Sequence, residues 1–120
     1  MPRSIQLSAS VAKGNTVTPM ITNADGSESP FVIPTKKAFV VTDVSIQRVS
    51  VLGTTDLFEM SLTQNIPTGG TTNRWTFIGK IAQNLERAFT SGIRFCTPFI
   101  VANGSQSADL VVVRLWGFFA

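Results

Sequence analysis

The sequence predicts an antiparallel β-sandwich or barrel of eight or nine short strands with little or no helix. Three observations carry this. Apolar residues recur with a period of two in segment after segment, as they do in strands with one buried face. Gly, Asn, Asp and Pro clusters punctuate the chain about every ten residues, the spacing of all-β domains. Only residues 81–89, "IAQNLERAF", show helical spacing, and that stretch is short and lacks a good N-cap.

Each element follows from its own pattern. Residues 4–11 alternate cleanly, with Ile5, Leu7, Ala9 and Val11 on one face and Ser4, Gln6, Ser8 and Ser10 on the other. Lys13-Gly14-Asn15 turns the chain into residues 15–22, where Pro19 marks an edge position or a strand break. Residues 23–30 form a polar loop around the Asp25-Gly26 turn pair. Pro34 interrupts the next stretch, and Thr35-Lys36-Lys37 turns it. In the long strand that follows, Val40, Val44 and Ile46 share one phase while Val49 and Val51 take the other. That switch predicts a bulge near Gln47-Arg48. Phe58, Met60 and Leu62 face inward on the next strand, and Trp75, Phe77, Gly79 and Ile81 align on the one after. Between these two, residues 66–73 make a flexible loop. Residues 84–95 and 99–110 supply further strands, with a tip at residues 103–107.

Composition bounds the function. One domain spanning residues 1–120 has length enough for a core without disulfide staples. Charged residues make up 14% of the chain, against ~25% in an average globular protein. The surface therefore relies on Ser, Thr, Asn and Gln and is nearly neutral, which suits packing against another body. The net charge of +3 comes from scattered Lys and Arg, with Lys36-Lys37 the only adjacent pair, so no nucleic-acid interface is expected. The lone Cys96 excludes an internal disulfide, and "GIRFCTPF" predicts a buried thiol there. No apolar run reaches the ~18 residues of a membrane span, and "MPRSIQLSAS" lacks the apolar run of a signal peptide. The expectation is a soluble protein made in a cytoplasm.

The chemistry of catalysis is thin. The chain has no His and no Tyr, and its seven acids are spread singly. Asp25-Gly26-Ser27-Glu28 lacks the ligand count of a calcium loop, and Asp56 and Glu59 would sit on opposite faces of a strand. "PTGGTTN" lacks the Gly-Lys-Ser/Thr and following helix of a phosphate loop. No enzyme activity, metal or cofactor is expected. Trp75 and Trp116 each lie among apolar neighbours, which fits a core or interface role better than a sugar-stacking platform.

One segment breaks the alternation. In residues 108–120, "ADLVVVRLWGFFA", Val111, Val113, Leu115 and Phe119 fall on one side, and Leu110, Val112, Trp116 and Phe118 on the other. A strand apolar on both faces belongs in the middle of a sheet, with its second face covered. A second copy of the chain, in a trimer, is the expected cover; a loop at residues 65–73 folded over the face is the alternative. Residues 1–12 are either an N-terminal arm or edge strand that pairs with a neighbour, or a plain first strand of the domain's own sheet. Ile5, Leu7, Trp116, Phe118 and Phe119 are the candidate interface residues.

"IPTKKAFVVTDVSI", "FTSGIRF" and "VVVRLWGFF" resemble small β-sandwich proteins of tailed bacteriophages and some bacteria. That pattern runs I-P-x-G-K, then an apolar strand, and closes on Gly-aromatic-apolar; this chain departs from it at Lys36, where Gly is usual, and at Phe118, where Tyr is usual. The phage members, known as cement or decoration proteins, have jelly-roll-like folds, often form trimers and bind the capsid exterior. The resemblance therefore implies a jelly-roll sandwich, a virion location, and the major capsid protein as partner. The alternative function is carbohydrate binding, as a receptor-binding or lectin-like module.

Overall fold

The computed structural model describes residues 5–12, 14–48, 58–66, 68–79, 84–103 and 110–120. These residues contain ten strands and no helix. The strands are β1 (Ile5–Val11), β2 (Thr16–Val17), β3 (Met20–Thr22), β4 (Glu28–Pro30), β5 (Phe39–Arg48), β6 (Phe58–Asn65), β7 (Thr71–Gly79), β8 (Asn84–Phe95), β9 (Phe99–Asn103) and β10 (Val111–Phe119). They make two sheets, ordered β4-β3-β1-β10-β5-β8 and β2-β9-β6-β7. All the pairings are antiparallel.

Setting β3 and β4 aside, the pairs β1·β10, β2·β9, β5·β8 and β6·β7 nest inside one another. The chain is thus one long hairpin, folded so that four strands fall in each sheet. This is the double Greek key of a jelly roll. The β3–β4 hairpin adds two short strands beyond β1, which raises the count from the eight of the roll to ten. Glu28–Pro30 was expected as loop, because three polar-flanked residues carry no period that distinguishes a strand.

Alternation sends one face of each strand into a shared core. Leu7, Ala9 and Val11 of β1, Val111, Val113 and Leu115 of β10, and Val44 and Ile46 of β5 meet Met60, Leu62, Phe99 and Val101 of the other sheet. Fully burying a side chain of this kind stabilises the fold by roughly 1.5–3 kcal/mol. At one end Phe31, Phe39, Phe95, Phe99 and Phe119 form a ring cluster, with Phe95 stacked on Phe99 at 4.2 Å and Phe31 edge-on to Phe39 at 4.7 Å. A tyrosine there would have to find a partner for its hydroxyl, which an all-Phe cluster avoids.

The predicted bulge exists, but at Thr42 rather than at Gln47-Arg48. Ladder pairing is regular through Arg48, and the register shifts between Val41 and Asp43. Phe39 and Val41 therefore face inward before the bulge, and Val44 and Ile46 after it, so Val40 does not share their phase. Val49 and Val51 lie outside the described residues. Opposite Thr42, β8 spends four residues, Phe89 to Gly92, between its pairs to Asp43 and Val41. Gly92 takes φ +72, and a Cβ there would lie 2.4 Å from Val40 Cγ1. On the other side of Val40, a Cβ on Gly117 would lie 2.1 Å from the Val40 carbonyl oxygen.

A buried polar residue pins the first turn. Asn103, expected in a loop tip, ends β9 with its side chain buried, and its Nδ2 donates to the Val11 carbonyl at 3.1 Å. Its own N–H donates to the Asn15 carbonyl, and Gly14, at φ +75, donates to the Asn103 carbonyl. The Thr35-Lys36-Lys37 turn is present. Lys37 N–H donates to the Pro34 carbonyl at 3.1 Å, and Lys36 itself takes φ +67 where the phage pattern has glycine.

Candidate docking face

The jelly roll puts β10 inside the larger sheet, between β1 and β5. Its outward residues Val112, Arg114, Trp116 and Phe118 are partly exposed, while Val111, Val113, Leu115 and Gly117 are buried beneath them. Register fixes their neighbours. Trp116 lies between Gln6 and Asp43, and Asp43 is followed by Ala88. One row along, Ser8, Arg114, Ser45 and Glu86 stand side by side, and Met20 of β3 pairs with Ser8. At the far end Phe118, Val40 and Arg94 share a row.

This face mixes aromatic rings with charge. A shallow depression of about 410 Å³ is lined by Asp43, Val44, Glu86, Arg87, Ala88 and Trp116. The Thr42 hydroxyl donates to Asp43 Oδ2 at 2.8 Å and lies 3.2 Å from the Trp116 carbonyl oxygen, so the bulge orients the carboxylate beside the indole. Arg87 leans off the β8 edge, its guanidinium 5.9 Å from the Phe77 ring of the other sheet. Among the described residues, Asp43, Glu86 and Arg114 make no ion pair. Elsewhere, Asp25 at the β3–β4 tip is held below its ordinary carboxylate pKa by hydrogen bonds from the Ser27 hydroxyl and N–H. No group of three or more potential metal ligands occurs among the described residues, and no helix there is long and apolar enough to cross a membrane.

The candidate interface residues separate into two groups. Trp116 and Phe118 lie on the outer face. Leu7 does not: it is 0% exposed in the core, because β1 is an interior strand whose Leu7, Ala9 and Val11 all point between the sheets. Ile5 and Phe119 also pack against the core, Phe119 at 5.5 Å from Phe39. Residues 5–11 therefore form a first strand of the domain's own sheet, paired to β10 along their whole length and to β3 at Leu7 and Ser8, and not an arm; residues 1–4 lie outside the described residues.

Two further expectations change. The 65–73 loop does not cover β10. It is the tight tip of the β6–β7 hairpin in the other sheet, with Asn65 paired to Thr71 and Gly69 and Gly70 both at positive φ. Cys96 is exposed, because Phe95 takes the inward position at the end of β8 and the next residue points out. Trp75 is an interior-side residue, edge-on to Phe89 at 5.4 Å. Residues 84–89 of the helix-spaced stretch are strand, and 81–83 lie outside the described residues. Of the two acids weighed as a pair, Glu59 faces outward on β6 beside Ile78, and Asp56 lies outside the described residues. Asp43, Glu86 and Ala88 were not singled out from sequence. Their convergence on Trp116 depends on the bulges of β5 and β8, which leave no mark in the local pattern.

No protein-family model matches the chain, and no curated protein does. Among solved structures it is similar to the crystal structure of Yersinia pseudotuberculosis-derived mitogen. The TM-score is 0.40 and the identity 14%, over 98% of this chain and 87% of that one.

Proposed function

We propose that this chain is a non-enzymatic structural protein of a virion, which assembles with its own kind and decorates the outside of a capsid built from the major capsid protein. The observation that carries the reading is the outer side of β10. Val112, Trp116 and Phe118 present apolar surface on the solvent side of a sheet whose core side is already filled. Monomers rarely leave contiguous apolar patches of more than a few hundred Å² uncovered. A homo-oligomer offers the capsid several copies of its contact surface at once, so capsid binding gains from avidity and depends on assembly. The test is co-sedimentation of the purified chain with capsids that lack it, followed by heating. The expected result is saturable binding and a higher temperature of capsid rupture, both lost with Trp116→Lys. Capsids indifferent to the wild-type chain would defeat the reading.

A second reading has one observation of its own. The depression beside Trp116 sets the carboxylates of Asp43 and Glu86 beside an indole, a combination that suits the polar rim and apolar face of a sugar ring. A glycan array decides it: a saturable hit abolished by Trp116→Ala and kept by Trp75→Phe would favour carbohydrate binding over assembly.

A further inference from the structure

We infer that the outer face of the six-stranded sheet docks on the same face of a second copy, about a two-fold axis running along the strands. This rests on the reading that the chain assembles through this face, and it replaces the expected threefold ring with an isologous pair. The face is divided lengthwise. On one side, β10 carries the bulky Val112, Trp116 and Phe118 and the cation Arg114. On the other, β5 and β8 carry the carboxylates of Asp43 and Glu86 and the small side chains of Ser45 and Ala88. A two-fold axis parallel to the strands, lying between the two faces, exchanges these sides. The bulky, basic strand of each copy then lies over the small, acidic strands of the other, and each Arg114 approaches carboxylates that have no ion-pair partner of their own among the described residues.

The remaining charges sit at the margins. Arg94 lies at the far end of β8 beside Val40, and Arg87 turns toward Phe77. Glu28 of β4 lines, with Ser8, Met20, Val112 and Arg114, a second depression on the β1 side of β10, without an ion pair to Arg114 among the described residues. The depression between Trp116, Ala88 and Glu86 gives an aromatic ring from the partner's β10 a place to sit. A heterologous contact would need a second, different patch. The outer face of the smaller sheet offers Ser61, Thr63, Thr76 and Thr16, with Ile78 exposed beside Glu59, and so has neither the aromatic rings nor the two carboxylates that the halves of the larger face offer each other. Four facing strands spaced ~4.8 Å apart bury on the order of 1,200 Å² in total, at the lower limit of specific interfaces, so the pair is weak and concentration-dependent.

The test is sedimentation velocity on the full chain up to about 100 µM, with circular dichroism checking that every variant folds. The expected result is a reversible monomer–dimer equilibrium that Arg114→Glu and Glu86→Arg each weaken by about tenfold or more. The double variant, with the charges exchanged, should return to within about threefold of wild type. A wild-type monomer at the top concentration, a trimer, or a dimer indifferent to the swap would overturn the two-fold pair. Capsid binding is measured separately. A chain that dimerises but ignores capsids defeats the decoration reading alone; one that binds capsids without dimerising defeats the pair and the dependence of binding on assembly, and leaves decoration itself standing.

Discussion

The two outer faces of the sandwich are built from the same alternation and differ in what it leaves outside. On the smaller sheet, β6 and β7 put Ser61, Thr63, Asn73 and Thr76 outward, hydroxyls and an amide that water solvates well, with Ile78 exposed beside Glu59 at one end. On the larger sheet, β10 puts Val112, Trp116 and Phe118 outward around one arginine. Burial between the sheets constrains only the inner half of each strand, so the outer half records the surroundings of that face. The smaller face is mostly hydroxyl and amide with one exposed isoleucine, and the larger face carries two aromatic rings and a valine around one cation.

The comparison depends on β10 being held tightly against β5, and the largest expected effect tests that. Gly117→Ala would push a methyl group to 2.1 Å from a backbone carbonyl oxygen, which cannot move without breaking the ladder. It should cost about 4 kcal/mol or more in urea unfolding. Gly92→Ala meets the Val40 side chain instead, so Val40→Ala should partly rescue it and leave Gly117→Ala unrescued. Next come two neighbours on one strand. Leu115→Ala empties a core position and should cost ~2–5 kcal/mol, whereas Trp116→Ala should cost the monomer under about 1 kcal/mol and act on assembly. Equal losses of monomer stability would erase the distinction between the faces.

Much of the fold was legible because strands of the roll declare themselves by period. Residues 5–11 gave their inward set correctly, and residues 111–119 gave both their central position and their two faces. The bulge was misplaced because Val40, Val41 and Thr42 are all β-branched, so neither phase stands out. What fixes Thr42 is the close approach of Gly92 and Gly117, which are distant in sequence. Cys96 was expected inside because its sequence neighbours are apolar, whereas Phe95 takes the inward position and leaves the next residue outward. Within the candidate site, Trp116 and Phe118 could be read from one strand. Asp43, Glu86 and Ala88 could not, since pairing across two bulges brings them to the indole.

Smaller effects sharpen the contrast at the ends of the sandwich. Asn103→Ala leaves the Val11 carbonyl without its side-chain donor in a buried place and should cost about 1–3 kcal/mol, read as a lower unfolding midpoint without a change of assembly. Lys36→Gly removes a side chain from a left-handed position and should stabilise by about 1 kcal/mol, with a raised thermal midpoint as the readout.

One paired charge insertion tests whether the six-stranded face is covered by protein and the four-stranded face by water. Lysine is placed at Trp116 and, separately, at Thr63, and the mass of each folded variant is measured by light scattering across a concentration series. The expected result is that the Thr63→Lys protein assembles like wild type, while the Trp116→Lys protein stays at the 12.9 kDa of one chain. A wild-type chain that is itself monomeric throughout the series, or two variants that assemble alike, would contradict it.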